Sequence, residues 1–189
     1  KQVLTWHNQY GRHDLPWQKT NDPYLIWVSE IMLQQTQVKT VIGYYQNFSI
    51  HFPTISSLAQ ADLDMVLSQW SGLGYYSRAR NLHRSAQLIV AEHNSKVPNS
   101  YADLLALPGI GCSTASAILA QAYELPYAIL DGNVKRLLSR HFGYTECVDT
   151  HAGKLALQNL ADQLMPKTNC KQYTQAIMDM GALICLKQP

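Results

Sequence analysis

The stretch that most constrains this chain is Leu107-Pro-Gly-Ile-Gly111, a turn set between two helical patterns. Pro108 fixes one backbone angle, and Gly109 and Gly111 admit positive φ, so the chain can reverse tightly with no Cβ in the way. A helix is predicted to follow, with Ser113 or Thr114 as its cap and Ala115, Ala117 and Ala120 as a small-residue face that another helix can approach closely. Helix, glycine hairpin and helix together make a backbone device for gripping one phosphate. The free N–H groups of the turn and the positive end of the helix point the same way, and no base is read. Taken alone, a glycine turn ahead of a helix is an ordinary loop. A carboxylate further along adds weight, because Asp131-Gly-Asn-Val places Asp131 at the cap of another helix.

Apolar residues recur at helical spacing almost throughout, and no alternating strand pattern stands out, so the chain is predicted to be all-α. A first helix is expected over residues 2–10, stopped by Gly11. Asp22 as cap and Pro23 at the first helical position mark the start of a helix running through Leu33. Others are expected over residues 38–52, closed by Pro53, and over 58–70, with an arginine-bearing helix after Gly74. Ser100 caps a short helix into the hairpin, and helices over 134–141, 152–164 and 170–186 complete the chain.

Glu30 is the second chemical element. Ile26 and Trp27 lie one turn before it and Leu33 and Gln34 one turn after. Partial desolvation among them is expected to raise its pKa from about 4.3 toward the range of a general acid. A glutamate merely facing water fits the same helix. Residues 34–37, Gln-Gln-Thr-Gln, end that helix in a polar, uncharged run. Amide side chains can probe base edges or fill the gap left by an extruded base. Gly72-Leu-Gly-Tyr-Tyr76 makes a mobile turn that presents two aromatics just before the arginines, a combination suited to wedging into a base stack.

Composition narrows the partners. At 189 residues the chain can form one domain or two small lobes. A formal net charge of +2 is too small for a polybasic nucleic-acid coat. Two local clusters would have to carry the attraction: Arg78, Arg80, His83 and Arg84, then Lys135, Arg136, Arg140 and His141. Either cluster alone also suits a solvated helix face. Neither a long apolar run nor a signal peptide is recognised, so a soluble, cytoplasmic protein, nucleoid-associated in a bacterium, is expected. Lys1 is not an initiator Met, which suggests a trimmed or partly ordered start. Cys112, Cys147, Cys170 and Cys185 are widely spaced, and neither a disulfide framework nor a metal site follows from them.

Together these elements resemble the helix-hairpin-helix DNA glycosylases of the endonuclease III superfamily. Ser29-Glu-Ile-Met-Leu-Gln-Gln-Thr-Gln37, Gly72-Leu-Gly-Tyr-Tyr-Ser-Arg-Ala-Arg80 and Ile129-Leu-Asp-Gly-Asn-Val-Lys-Arg136 are similar to its adenine-excising branch, and the likeness runs from Trp6 to Pro189. The resemblance implies a six-helix bundle over residues 18–127 and a second helical lobe from residues 1–17 and 128–189, with a cleft between them. It implies a monomeric, monofunctional base excision repair enzyme acting on double-stranded DNA that carries adenine opposite 8-oxoguanine or guanine. Glu30 would be the acid, Asp131 the anion facing the sugar, and Asn133 the residue orienting Asp131 or a water. Ser113 stands where strand-cutting relatives carry a lysine nucleophile. Gln34, Gln35, Tyr75, Arg78, Gly109, Gly111, Thr114 and Lys135 would meet the DNA, with Tyr75 as the wedge and Tyr76 packed as core. Trp17 would wall the base pocket, and Lys135 would trap the sugar as a minor side reaction. Met180 to Cys185 looks like the segment with the first thiolate of a [4Fe–4S] cluster. The other three ligands would lie beyond Pro189, so the cluster is expected in the full-length protein and is not completable by this chain. Two other readings stay open. One is an endonuclease III-like glycosylase and lyase for oxidised pyrimidines, which Ser113 and the glutamine run argue against. The other is a non-catalytic helix-hairpin-helix DNA-binding module, which has no use for a desolvated Glu30 or for Asp131.

Overall fold

A computed structural model describes residues 2–188; Lys1 and Pro189 lie outside the described residues. Asp22 opens its helix as the sequence predicts. Its carboxylate accepts the Tyr24 N–H at 2.9 Å, while Pro23, with no N–H to leave unpaired, takes the first turn. The helices are α1 Gln2–Tyr10, α2 Pro23–Leu33, α3 Val38–His51, α4 Ile55–Gln60, α5 Leu63–Gln69 and α6 Ser77–Glu92. They continue with α7 Tyr101–Ala106, α8 Cys112–Tyr123, α9 Gly132–His141, α10 His151–Leu164 and α11 Cys170–Leu183. A short 3-10 turn, Pro16–Lys19, precedes α2, and no strand occurs among the described residues.

Several boundaries differ from the sequence expectation. The single helix expected over residues 58–70 is two, α4 and α5. Thr54 caps the first by accepting the Ser57 N–H at 3.1 Å, and Ala61 and Asp62 are extended, with ψ of 150° and 139°. The carbonyl freed at Ala61 is matched by His83 Nε2 on α6 at 2.9 Å. Helix α8 begins at Cys112, so neither Ser113 nor Thr114 caps it; the Gly111 carbonyl accepts the Ala115 N–H at 2.9 Å and both residues sit inside the first turn. Helix α11 ends at Leu183, short of residue 186.

The chain divides into two compact units, Asp14–Ile118 and the combination of Lys1–His13 with Leu119–Pro189. The junctions therefore fall at residues 13/14 and 118/119, the second inside α8. In the unit Asp14–Ile118, α6 packs on α2, α4 and α5, and α2 on α3. Its core holds Ile26, Trp27, Met32, Phe48, Leu58 and Trp70, all fully buried, with Phe48 and Trp70 edge to face at 5.9 Å. Each such side chain contributes about 1.5–3 kcal/mol of burial.

In the other unit α11 packs on α1 and α9, and α9 on α10. The α1 side is held by Asp179, a carboxylate with 0% exposure. Arg12 donates to its Oδ1 from Nε at 3.0 Å and from the guanidinium end at 2.6 Å, the Arg12 backbone N–H donates to Oδ2 at 2.8 Å, and Gln175 donates at 2.9 Å. His7 lies 3.3 Å away. Burial lowers the His7 pKa despite the neighbouring carboxylate, so Arg12 supplies the counter-charge. On the α9 side, Gly181 has no alternative: a Cβ there would stand 2.8 Å from the Asn133 carbonyl oxygen. Asp179→Ala removes the acceptor shared by Arg12 and Gln175 and is expected to lower stability by about 2–4 kcal/mol. Urea unfolding measures it, and a parent-like midpoint would show that this cluster does not hold α1 on α11.

Candidate functional site

In the unit Asp14–Ile118 the hairpin is anchored from within. Leu107 and Ile110 are buried, the Ile110 N–H donates to the Leu107 carbonyl at 3.2 Å, and Ser85 on α6 donates to the Pro108 carbonyl at 2.9 Å. Gly109 needs to be glycine on two counts: φ is +81°, and a Cβ would stand 2.9 Å from Asn81 Cβ. Gly111 departs from expectation, since its φ is not in the left-handed region and a Cβ there would meet nothing within 4 Å. Open space before α8 is what that position offers, and it lies exposed in front of the helix N-terminus.

Gln34 caps the C-terminal end of α2 and reaches the hairpin. Its Nε2 donates to the Gly109 carbonyl at 3.3 Å and to Thr114 Oγ1 at 3.2 Å. The structure thus joins three of the expected DNA-side residues, Gln34, Gly109 and Thr114, although Thr114 is buried. Gln35 is exposed with φ of +56°, and Tyr75 is 61% exposed with φ of +49°. Each of these two non-glycine residues in the left-handed region costs about 1–3 kcal/mol of backbone strain. Tyr76 is 44% exposed and so is not the core residue expected; it is the solvent-side residue immediately preceding α6.

Arg78 is the largest departure. Expected to meet DNA, it is 8% exposed and donates to the carbonyls of Ile31, Met32, Gln34, Leu73 and Gly74 and to Thr36 Oγ1. His83 is buried as well, which leaves Arg80 and Arg84 as the exposed members of that cluster. Trp17 is a core residue at 4% exposure, its ring edge to face with Tyr45 at 5.4 Å, and so has little surface to offer a base. Glu30 is half-buried on α2, following buried Ile26 and Trp27, and Ser113 is half-buried in the first turn of α8.

In the other unit Asp131 caps α9, its Oδ1 accepting the Val134 N–H at 2.7 Å. Burial raises its pKa, opposed by the N–H groups of Val134 and Asn133 and by the charge of Arg136. The Asn133 side chain does not orient that carboxylate; its Oδ1 accepts from Arg136 at 3.0 Å. Arg136 also donates to the carbonyls of Gly181 at 2.6 Å and Cys185 at 2.7 Å, and Arg140 to those of Leu186 and Lys187. Lys135 is paired with Asp149. The second basic cluster is therefore largely engaged within the chain, with His141 exposed beside Phe142. These internal roles of Arg78 and Arg136 were missed because a basic residue on a helix reads the same whether it faces a phosphate or a carbonyl.

Cys185 lies 3.5 Å from an Arg140 nitrogen, and Cys170 Sγ donates to the Pro166 carbonyl. Among the described residues no group of three or more His, Cys, Asp or Glu side chains is arranged to hold a metal ion. They do not by themselves fit a four-thiolate cluster. No described helix is long and apolar enough to cross a membrane.

Hairpin, capping aspartate and helix order find their match in one family description, HhH-GPD superfamily base excision DNA repair protein, over residues 28–162. The chain belongs to the HhH-GPD superfamily. It is 46% identical over 185 residues to an adenine DNA glycosylase of Buchnera aphidicola, covering 98% of this chain and 52% of that protein. It thus spans about half the length of the curated relatives from Buchnera aphidicola that it matches. Among solved structures, a thermostable thymine-DNA glycosylase superposes with a TM-score of 0.89 at 28% identity, covering 98% of this chain and 85% of that one. A non-covalent endonuclease III–DNA complex gives 0.83 at 18% identity over 100% and 85%, a likeness of fold.

Because the Asp131 pKa is raised on folding, its ionised form opposes folding. That cost is absent where the carboxyl is protonated in both states, below the ordinary value of 3.8, and full above the raised value. Asn caps as well as Asp. Asp131→Asn is therefore expected to melt at or above the parent at neutral pH and to lose its advantage on acidification. Melting curves across that range check the sign, and a variant clearly less stable at neutral pH would reverse it.

Proposed function

We propose that this chain is the catalytic part of a monofunctional DNA glycosylase that hydrolyses the N-glycosidic bond of adenine opposite 8-oxoguanine or guanine in double-stranded DNA. The observation that carries the reading is a half-buried Glu30 and a desolvated Asp131 in a chain 46% identical to an adenine DNA glycosylase over 98% of its length.

Adenine leaves poorly until a ring nitrogen is protonated, and the sugar left behind becomes an oxocarbenium-like cation. Glu30 donates the proton as the bond between base and sugar breaks and the electron pair departs with adenine. Asp131 faces the cation. Burial makes its charge costly in the empty protein, and the developing positive charge converts that cost into stabilisation of the transition state. Water then adds to the sugar and gives its proton to the Glu30 carboxylate, which restores the acid and leaves an abasic site. Ser113 has no amine for a Schiff base, so the strand is not cut. Lys135, held on Asp149, is a minor trap. The hairpin N–H groups grip a phosphate, Tyr75 wedges into the stack, and Gln35 fills the space the base leaves. Cys185 would be one thiolate of a [4Fe–4S] cluster in the whole protein, where the cluster would support the fold; the described residues do not supply the other ligands.

Duplexes bearing adenine opposite 8-oxoguanine, thymine opposite guanine, or an oxidised pyrimidine, assayed with and without alkali, separate the alternatives. Breaks at adenine only, and only after alkali, support the proposal. Breaks without alkali indicate a lyase, and binding with no product in any duplex indicates a DNA-binding module. Glu30→Gln is expected to abolish adenine release while duplex affinity stays within a few-fold, because the amide keeps the shape and loses the proton; appreciable turnover would remove Glu30 from the acid role. Ser113→Lys is expected to give a borohydride-trapped adduct beyond that due to Lys135. No additional adduct would mean that Ser113 does not lie beside the sugar.

A further inference from the structure

We infer that Arg78 is the positioning residue that ties Gln35 and Tyr75 into one two-pronged unit for extruding the target base; this rests on the reading of those two residues given above. A buried guanidinium normally has a carboxylate partner, and among the described residues none pairs with Arg78. Six oxygens replace it, and they come from two separate loops. One guanidinium nitrogen donates to the carbonyls of Ile31 at 3.1 Å and Met32 at 2.8 Å and to that of Gln34, groups at the end of α2 beyond the regular i to i+4 ladder of the helix. The other donates to Thr36 Oγ1 at 3.1 Å, the Leu73 carbonyl at 3.3 Å and the Gly74 carbonyl at 3.2 Å. The same cation lies over the Trp70 ring at 5.4 Å and the Tyr75 ring at 5.5 Å.

Each loop so held contains one exposed non-glycine residue with a left-handed backbone, Gln35 in the first and Tyr75 in the second. Such backbones persist only where their surroundings over-determine them, and here the shared surroundings are one planar fork. Lysine cannot substitute, because a compact ammonium with three donors does not span two loops. Arg78 touches no DNA on this account. It fixes the spacing between the group that pushes the base out and the group that fills the space.

The test uses 2-aminopurine in place of the target adenine opposite 8-oxoguanine, since its fluorescence rises on unstacking. The parent is expected to raise it at saturation. Arg78→Lys is expected to bind within a few-fold of the parent, to leave fluorescence nearly flat, and to slow single-turnover adenine release by about 10²-fold. The loss should largely disappear when the target adenine faces an abasic site and is already unpaired, whereas a general structural defect would slow both duplexes alike. Thr36→Val, which removes one acceptor and keeps the arginine, should show a smaller loss with the same recovery, and it decides alone if Arg78→Lys does not fold. Parent-like fluorescence in both variants, or equal loss on paired and unpaired adenine, overturns the inference. A parent that unstacks 2-aminopurine but releases no adenine would defeat the proposed chemistry and leave the inference standing; a parent that leaves it stacked removes both.

Discussion

The last carbonyls of α2 lie past the regular hydrogen-bond ladder of their helix, and the loops of the hairpin-bearing unit depend on what else those carbonyls meet. Water would satisfy them at an exposed end. Here the helix ends beside the start of α6, and one arginine takes three of them. The same side chain then reaches the glycine turn that precedes α6. Two loops that the chain separates by about forty residues become one surface, and the strain at Gln35 and Tyr75 is tolerable because neither loop can relax alone. Gln34 extends the tie to the hairpin through the Gly109 carbonyl and Thr114.

The same economy recurs in the other unit. Arg136 and Arg140 donate to carbonyls of the segment after α11, and Arg12 closes α1 on Asp179. Arg78, Arg136 and Arg140 thus serve the chain's own backbone instead of facing a polyanion. Backbone N–H groups at a glycine hairpin and a helix start are of the kind that can position a phosphate, and Arg80 and Arg84 are exposed cations on α6. Such contacts position a duplex without reading it.

Helix positions and chemistry were legible in the sequence to different depths. Asp22-Pro23, Ser100 and Asp131 announced helix starts through local hydrogen bonds that span only two or three residues, and the structure has all three. The break between α4 and α5 was not legible, because the partner that accommodates the Ala61 carbonyl is His83, distant in the chain. Gly109 was read correctly from its neighbours. Gly111 was not, since its place before α8 depends on a helix start that a glycine carbonyl, and no side chain, provides.

By itself, then, the sequence determined the all-helical class, the hairpin, the capping aspartate and the residue types available for acid and anion, because each is a matter of spacing or of contacts within a turn or two. Only the tertiary structure decided that Arg78 and Arg136 serve the protein's own carbonyls and that Tyr76 is exposed and Trp17 buried. A long cationic or aromatic side chain has the same local signature whether it meets solvent, backbone or a ring. Its partner is set by which distant segment packs against it.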